Sequence, residues 1–152
     1  MNSNELDKIN KVFIEVLETM TFLFGDPVNR DEIENYPDDC IQAEMSFGGY
    51  RNGVIKMLVQ TEMCVEIAAN TLGKDYDETL KMVKATDAVK ELLNIICGRV
   101  LTELFGEKPV FNLTPPEVTL TDESGWDDFK KIEDALFFQI DDWFVALHLI
   151  MK

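Results

Sequence analysis

The chain has 152 residues, of which 46% are hydrophobic, and it carries a formal net charge of −15. This length and composition predict one domain over residues 1–152, large enough to bury a substantial core. The excess of acidic residues would repel nucleic acid and anionic membrane surfaces, so we expect neither as a partner.

The N-terminus and the cysteines indicate where the protein works. Residues 1–8 lack the basic region and following apolar run of a signal peptide. No apolar run in the sequence is long enough to span a bilayer. Cys40, Cys64 and Cys97 are odd in number and lack the spacing of metal ligands. We therefore expect reduced, mostly buried thiols in a cytoplasmic protein without a metal site.

The first elements are a helix and a loop. Apolar residues recur at helical spacing over residues 3–24, and Gly25 is expected to end that helix. Residues 26–39 contain two prolines and several acids, so we expect a loop that holds at most a short turn.

A β-hairpin and a second helix follow. Residues 41–47 and 54–60 have strand patterns, and the Asn52-Gly53 pair between them is a strong hairpin turn signal. The second strand is the more apolar, so we expect it to be the more central. Residues 61–73 predict a helix capped by Thr61 and stopped by Gly73, and residues 74–85 predict a loop or a short helix.

The next helix, predicted over residues 86–106, has two distinct faces. Thr86 is expected as its N-cap and Gly106 as its C-cap. One face is apolar and consists of Val89, Leu92, Leu93, Ile96, Cys97, Val100, Leu101 and Leu104. The opposite face holds a polar stripe within roughly a quarter of the circumference: Asp87, Glu91, Asn94, Gly98 and Thr102.

The polar stripe contains residues that an ordinary solvated helix face seldom has. Gly98 in mid-helix costs about 1 kcal/mol relative to alanine, and Asn94 is also a weak helix former. Such residues are expected where another surface must approach closely, with Ile95 and Arg99 beside the stripe as further contacts. The alternative is a plain exposed face on which Gly98 is merely tolerated.

The last third predicts strands. Residues 110–113 and 118–120 are strand-like, and Pro115-Pro116 between them indicates a strand interrupted at a sheet edge. Residues 122–134 are polar and acidic, and they predict an excursion or a short helix. Residues 135–140 and 143–151 predict a second hairpin. The whole order predicts an α+β fold, with an antiparallel or mixed sheet packed against two long helices in a loose helix–strand–strand repeat.

The spacing Asp87-x-x-x-Glu91-x-x-Asn94, followed some twenty residues later by Pro115 or Pro116, resembles the signature of the CheC/CheX/FliY phosphatases of bacterial chemotaxis. CheC has two such helices and CheX has one. Residues 3–24 lack a Glu-x-x-Asn pair, so the resemblance is closest to CheX. It covers most of the chain and implies the CheC/CheX-like α+β fold.

The resemblance implies that the chain hydrolyses the aspartyl-phosphate of a CheY-type response regulator. It identifies Glu91 and Asn94 as the catalytic pair that enters the regulator's active site, where Asn94 positions the water and Glu91 docks the partner. The positions expected to contact the partner are Asp87, Ile95, Gly98 and Arg99. It further implies no cofactor in this chain, Mg²⁺ on the partner receiver, and a homodimer formed through sheet edges.

Two other functions stay open at this point. Many family members have glycine at the position of Leu93 and a small polar residue at that of Arg99, so a non-catalytic module that docks a receiver or a flagellar component is the alternative. An unrelated structural dimer is the third.

Other catalytic chemistry is not indicated, because the sole histidine, His148, falls in a predicted strand and no nucleophile motif is present. The acidic pairs lack EF-hand spacing and are expected to be surface acids: Asp38-Asp39, Asp127-Asp128 and Asp141-Asp142.

Overall fold

A computed structural model of the chain describes residues 1–33, 39–72 and 78–152. In chain order the elements are α1 (Ser3–Thr21), β1 (Gly25–Val28), a short 3₁₀ helix (Arg30–Glu32), β2 (Cys40–Gly49), β3 (Gly53–Gln60), α2 (Thr61–Leu72), α3 (Glu78–Phe105), β4 (Phe111–Leu113), β5 (Glu117–Thr121), α4 (Glu123–Lys130), β6 (Leu136–Ile140) and β7 (Trp143–Met151). Within the described residues, no helix combines the length and the apolarity needed to cross a membrane.

The seven strands form one antiparallel sheet in the order β1-β6-β7-β3-β2-β4, and β5 also pairs with β2. Both predicted hairpins, β2–β3 and β6–β7, are confirmed, and they meet where β3 pairs with β7. The expectation that the second strand is central is also confirmed, since β3 lies between β7 and β2. The predicted α+β fold is therefore confirmed.

The main core lies between one face of the sheet and α1, α2 and α3. Phe13 of α1 stacks on Phe138 of β6 with ring centroids 4.2 Å apart. The predicted apolar face of α3 is buried in the same cluster, except that Leu104 is only partly buried. Cys64 and Cys97 belong to this core, and all three cysteines are buried thiols.

The other face of the sheet is partly covered by α4, which confirms the short helix expected within residues 122–134. Trp126 is fully buried, and its Nε1–H donates to Cys40 Sγ at 2.8 Å. The buried residues of this smaller core are Ile33, Cys40, Leu58, Trp126, Phe129, Ala135, Phe137 and Ala146. The segment thus shields part of the sheet from water.

Replacing Trp126 by phenylalanine should lower the free energy of unfolding by about 1–2 kcal/mol, because it removes a buried hydrogen bond and leaves space in the smaller core. Chemical denaturation would measure this loss, with the dependence of the free energy of unfolding on denaturant concentration unchanged between the two proteins. The control is Asp127→Asn on the exposed side of α4, which should change stability by less than about 0.5 kcal/mol. A W126F variant as stable as wild type would contradict the importance of this contact.

The first helix ends earlier than its pattern predicts. It stops at Thr21, whose hydroxyl donates to the Leu17 carbonyl and accepts from the Leu23 amide, while Phe22 takes up a left-handed conformation at φ 60°. Gly25 does not end the helix but begins β1. The glycine allows β1 to approach β6 closely, because a Cβ at this position would lie 2.5 Å from Ile140 Cγ1.

Residues 26–32 also differ from the loop predicted over residues 26–39, of which residues 34–38 lie outside the described part of the chain. Gly25–Val28 forms an edge strand paired with β6, and Arg30–Glu32 forms a 3₁₀ turn. This stretch contains few apolar residues and a proline, so its pattern does not indicate a strand. Among the described strands, β1 lies at the end of the sheet. Such an edge position accommodates a proline, which has no amide hydrogen to donate.

The helix predicted from Thr86 begins at Glu78 instead. Thr86 is therefore not an N-cap, and its hydroxyl donates to the Val83 carbonyl one turn earlier. No glycine or proline interrupts residues 78–85, and Ala85 is buried in the main core, so the helix continues through them. Gly106 at the other end has φ 85° and donates its amide to the Thr102 carbonyl, as the predicted C-cap requires. The predicted stop at Gly73 lies outside the described residues.

Candidate functional site

The polar stripe of α3 faces away from the core. Asp87, Glu91, Asn94 and Thr102 are exposed, and Gly98 is partly exposed. Among the residues that the structure describes, the side chains of Glu91 and Asn94 have no hydrogen-bond or ion-pair partner. Residues three apart on a helix have Cβ atoms about 5–6 Å apart, so the carboxylate and the carboxamide can reach one partner surface together.

Gly98 lies in open space. Apart from its chain neighbours and the nearby backbone of α3, a Cβ built at this position would have no described atom within 4 Å. Packing inside the chain therefore does not require glycine here, although glycine is unfavourable in a helix interior. The glycine leaves open space one turn beyond Asn94.

A groove of about 360 Å³ lies beside the stripe. Its helix wall consists of Lys90, Glu91 and Asn94, and its other wall consists of Leu113, Thr114, Pro115 and Pro116. The second wall is the connection between β4 and β5, which both pair with β2. This arrangement confirms the strand interrupted by prolines at a sheet edge and places the interruption next to the Glu91–Asn94 pair.

The two flanking residues have contacts within the chain. Ile95 is partly buried and packs against the main core. Arg99 lies with its Nη2 atom 3.3 Å from Glu15 Oε2 on α1, and both side chains are about half exposed, at 53% and 47%. An exposed ion pair of this kind contributes little to stability, so breaking it would cost the fold little.

The other reactive side chains lie apart from the stripe or are poorly suited to chemistry. Burial raises the pKa of the Cys97 thiol to about 12, and burial and the neighbouring Cys40 raise the pKa of Cys64. Both thiols are therefore protonated at neutral pH and poor nucleophiles. His148 lies in β7 opposite Lys56, and burial lowers its pKa. The described residues contain no group of three or more His, Cys, Asp or Glu side chains that could hold a metal ion.

Sequence reasoning missed Lys90 and Thr114, which line the groove with the predicted pair. Lys90 precedes Glu91, and Thr114 precedes the two prolines. Lys90 lies on the same side of the helix as the motif, and Thr114 lies next to the prolines that interrupt the strand. Both could therefore have been included as neighbours of these features. The distance across the groove depends on sheet pairing, which the local pattern does not reveal.

Residues 41–129, more than half of the chain, match the model of the family described as chemotaxis phosphatase CheX. The chain belongs to the CheX family. This span includes all of β2 to α3 except Cys40, and it includes the Pro115-Pro116 connection, so both walls of the groove lie within the matched part. The resemblance inferred from the motif is confirmed. The sequence matched none of the curated proteins with which it was compared.

Solved structures of CheX-family and related chemotaxis proteins have the same fold. A chemotaxis protein CheX from Desulfovibrio desulfuricans is 17% identical with a TM-score of 0.71, covering 98% of this chain and 99% of its own. A putative chemotaxis protein from Desulfovibrio vulgaris Hildenborough has the same identity and TM-score, with 98% and 97% covered. The CheX–CheY–BeF₃–Mg²⁺ complex from Borrelia burgdorferi contains a chain that is 16% identical with a TM-score of 0.64, and 97% of each chain is covered.

Proposed function

We propose that this CheX-family chain is a phosphatase that hydrolyses the aspartyl-phosphate of a CheY-type response regulator in chemotaxis signalling. The observation that carries the proposal is the exposed Glu91–Asn94 pair, whose side chains have no partner among the described residues and which lies on a helix with a buried apolar face, beside the open space at Gly98. A complex of a CheX with a CheY among the structures of the same fold supports a partner of this kind.

The reaction needs little from the phosphatase. A water oxygen attacks the phosphorus in line, the bond between phosphorus and the aspartyl oxygen breaks, and inorganic phosphate and a free aspartate carboxylate result. The receiver supplies the Mg²⁺ and a lysine that bind the phosphoryl oxygens, so the remaining task is to hold the water in line. A carboxamide suits this role because its oxygen accepts from the water while its nitrogen donates to a phosphoryl oxygen.

Glu91 has a different role in the proposal. Its carboxylate lies one helical turn before Asn94 and can pair with the lysine of the receiver, which fixes the register of the two proteins. Asp87 lies one turn further and contacts the rim of the receiver. Ile95 and Arg99 lie beside this surface, and Gly98 leaves the space into which the receiver fits. The chain itself needs no cofactor for these roles.

Replacing Glu91 by glutamine should raise the receiver concentration at half-maximal rate about tenfold, because a charge-assisted hydrogen bond is lost. The maximal rate should change little, since Glu91 does not hold the water. Glu103→Gln is the matched control, because it removes the same charge from an exposed position elsewhere on α3. An equal effect of both variants would mean that only the overall charge matters.

The proposal itself is tested by phosphate release from a phosphorylated CheY-type receiver of the same organism. Acceleration by the wild-type chain supports it. Binding without acceleration would instead identify the alternative, a non-catalytic module that docks a receiver or a flagellar component. We also propose a cytoplasmic location and a homodimer formed through a sheet edge, for which β1 on one side and β4 and β5 on the other are available.

A further inference from the structure

The wall of the groove that connects β4 and β5 contains a change in the register of pairing with β2. In the pairing of β2 with β4, Phe47 lies opposite Leu113, and in the pairing of β2 with β5, Glu44 lies opposite Glu117. Residues 45–46 of β2 therefore face residues 114–116 across the sheet, so that the outer chain has one residue more. This is a β-bulge, a feature that bends a strand and re-aims its side chains next to functional sites.

Two consecutive prolines within the bulge remove two amide donors from the ladder. Thr114 supplies hydrogen bonds to β2 beside the two prolines. Its hydroxyl accepts from the Ser46 amide at 2.9 Å and lies 3.3 Å from the Ser46 carbonyl oxygen, while its own amide donates to that oxygen at 2.9 Å. The backbone amide and carbonyl of Ser46 are thus both held by one residue, and we call this set of contacts the Thr114 clamp.

The Thr114 clamp fixes the position of the two prolines relative to β2. It fixes the residue immediately before Pro115 against β2, and Val118, two residues after Pro116, packs against the main core. The prolines between these two attachments form the wall that faces Glu91 and Asn94 across the groove. Without the hydroxyl, the Ser46 amide has no partner among the described residues, and the connection loses both hydrogen bonds that the hydroxyl makes.

We propose that Thr114 is a positioning residue, which holds the Pro115-Pro116 wall at the distance from α3 that the receiver requires. The inference rests on the proposed function, because the occupant of the groove is the receiver that meets Glu91 and Asn94, which line the same groove. Thr114 is exposed and its hydroxyl does not reach the reacting atoms in this scheme. It acts through the shape of the docking surface.

The test compares Thr114→Val, which removes the hydroxyl and keeps the shape, with Thr114→Ser, which keeps the hydroxyl. In phosphate-release assays, T114V should raise the half-saturating receiver concentration about fivefold, because the wall loses the hydrogen bonds of the hydroxyl, with a maximal rate close to wild type. T114S should restore the wild-type value. A purely structural role would lower the unfolding temperature without this change in half-saturation and without rescue by serine.

Thr119→Val is the matched control, since Thr119 is exposed on β5 and its side chain has no partner among the described residues. A half-saturating concentration of T114V equal to that of wild type and T119V would overturn the inference. An equal increase in T114V and T114S would overturn it as well, because the hydroxyl would then not be responsible.

A binding assay separates this inference from the proposed catalysis. The probe is a CheY-type receiver loaded with BeF₃⁻ and Mg²⁺, a phosphoryl mimic that cannot be hydrolysed. If the wild type binds it without accelerating phosphate release, the catalytic proposal fails, yet about fivefold weaker binding by T114V still supports the positioning role. If the wild type does not bind a receiver at all, the positioning role is wrong too.

Discussion

Replacing Asn94 by alanine should lower the accelerated rate of phosphate release about a hundredfold or more, which is the usual effect of losing a group that orients a reactant. Binding of the BeF₃⁻-loaded receiver should remain close to wild type, because Glu91 and the groove are unchanged. Rates at saturating receiver concentration, together with the dissociation constant, measure both parts of the expectation.

The expected split between rate and binding follows from the position of Asn94. Its side chain is exposed and has no partner within the described chain, so its removal leaves no buried polar group unsatisfied. Alanine is also the better helix former, and α3 should be no less stable. A loss of rate in N94A therefore cannot be attributed to unfolding, which a thermal melt of the variant would verify.

Asn94→Asp sharpens the test. An aspartate has nearly the same shape and can accept a hydrogen bond from water, but it cannot donate to a phosphoryl oxygen and places a negative charge beside the phosphate. We expect N94D to be as inactive as N94A. Thr102→Ala, two turns further on the same exposed stripe, should retain the wild-type rate. An active N94A would contradict the assignment of the water-positioning role.

The sequence was sufficient to predict the layers of the fold and the exposed polar stripe of α3, because both depend on local periodicity. The face of α3 that contains Leu92 and Ile96 is buried in the main core, and the strands of the two predicted hairpins pair with each other. The spacing of Glu91 and Asn94 places them together on any helix. Their roles stay predictions until the rates are measured.

The features that could not be predicted depend on tertiary contacts. Thr86 resembles an N-cap in isolation, but the helix begins before it because Ala85 is buried in the main core. Gly25 resembles a helix stop, whereas its small size is required by Ile140 on the neighbouring strand. The Thr114 clamp joins residues 68 positions apart, and a single sequence offers no signal for that contact.

Gly98 provides the second decisive test. Gly98→Gln should stabilise the isolated chain by up to about 1 kcal/mol, because glutamine is a far better helix former and the position is open. The same substitution should weaken binding of the receiver about thirty- to a hundredfold, since steric overlap at a packed contact costs about 2–3 kcal/mol. Denaturation of the chain alone and titration with the BeF₃⁻-loaded receiver give the two values.

The matched control is Gly98→Ala, which makes the same backbone change with a single added methyl group. G98A should gain about the same stability but lose less affinity than G98Q, so a graded loss of binding separates bulk from helix propensity. If G98Q binds as tightly as wild type, the open space at Gly98 does not receive the partner, and the exposed-face interpretation of the stripe is correct. If both variants are destabilised, the glycine serves the fold itself. A chain that becomes more stable and binds less would mean that Gly98 is kept for the receiver, at the expense of the helix.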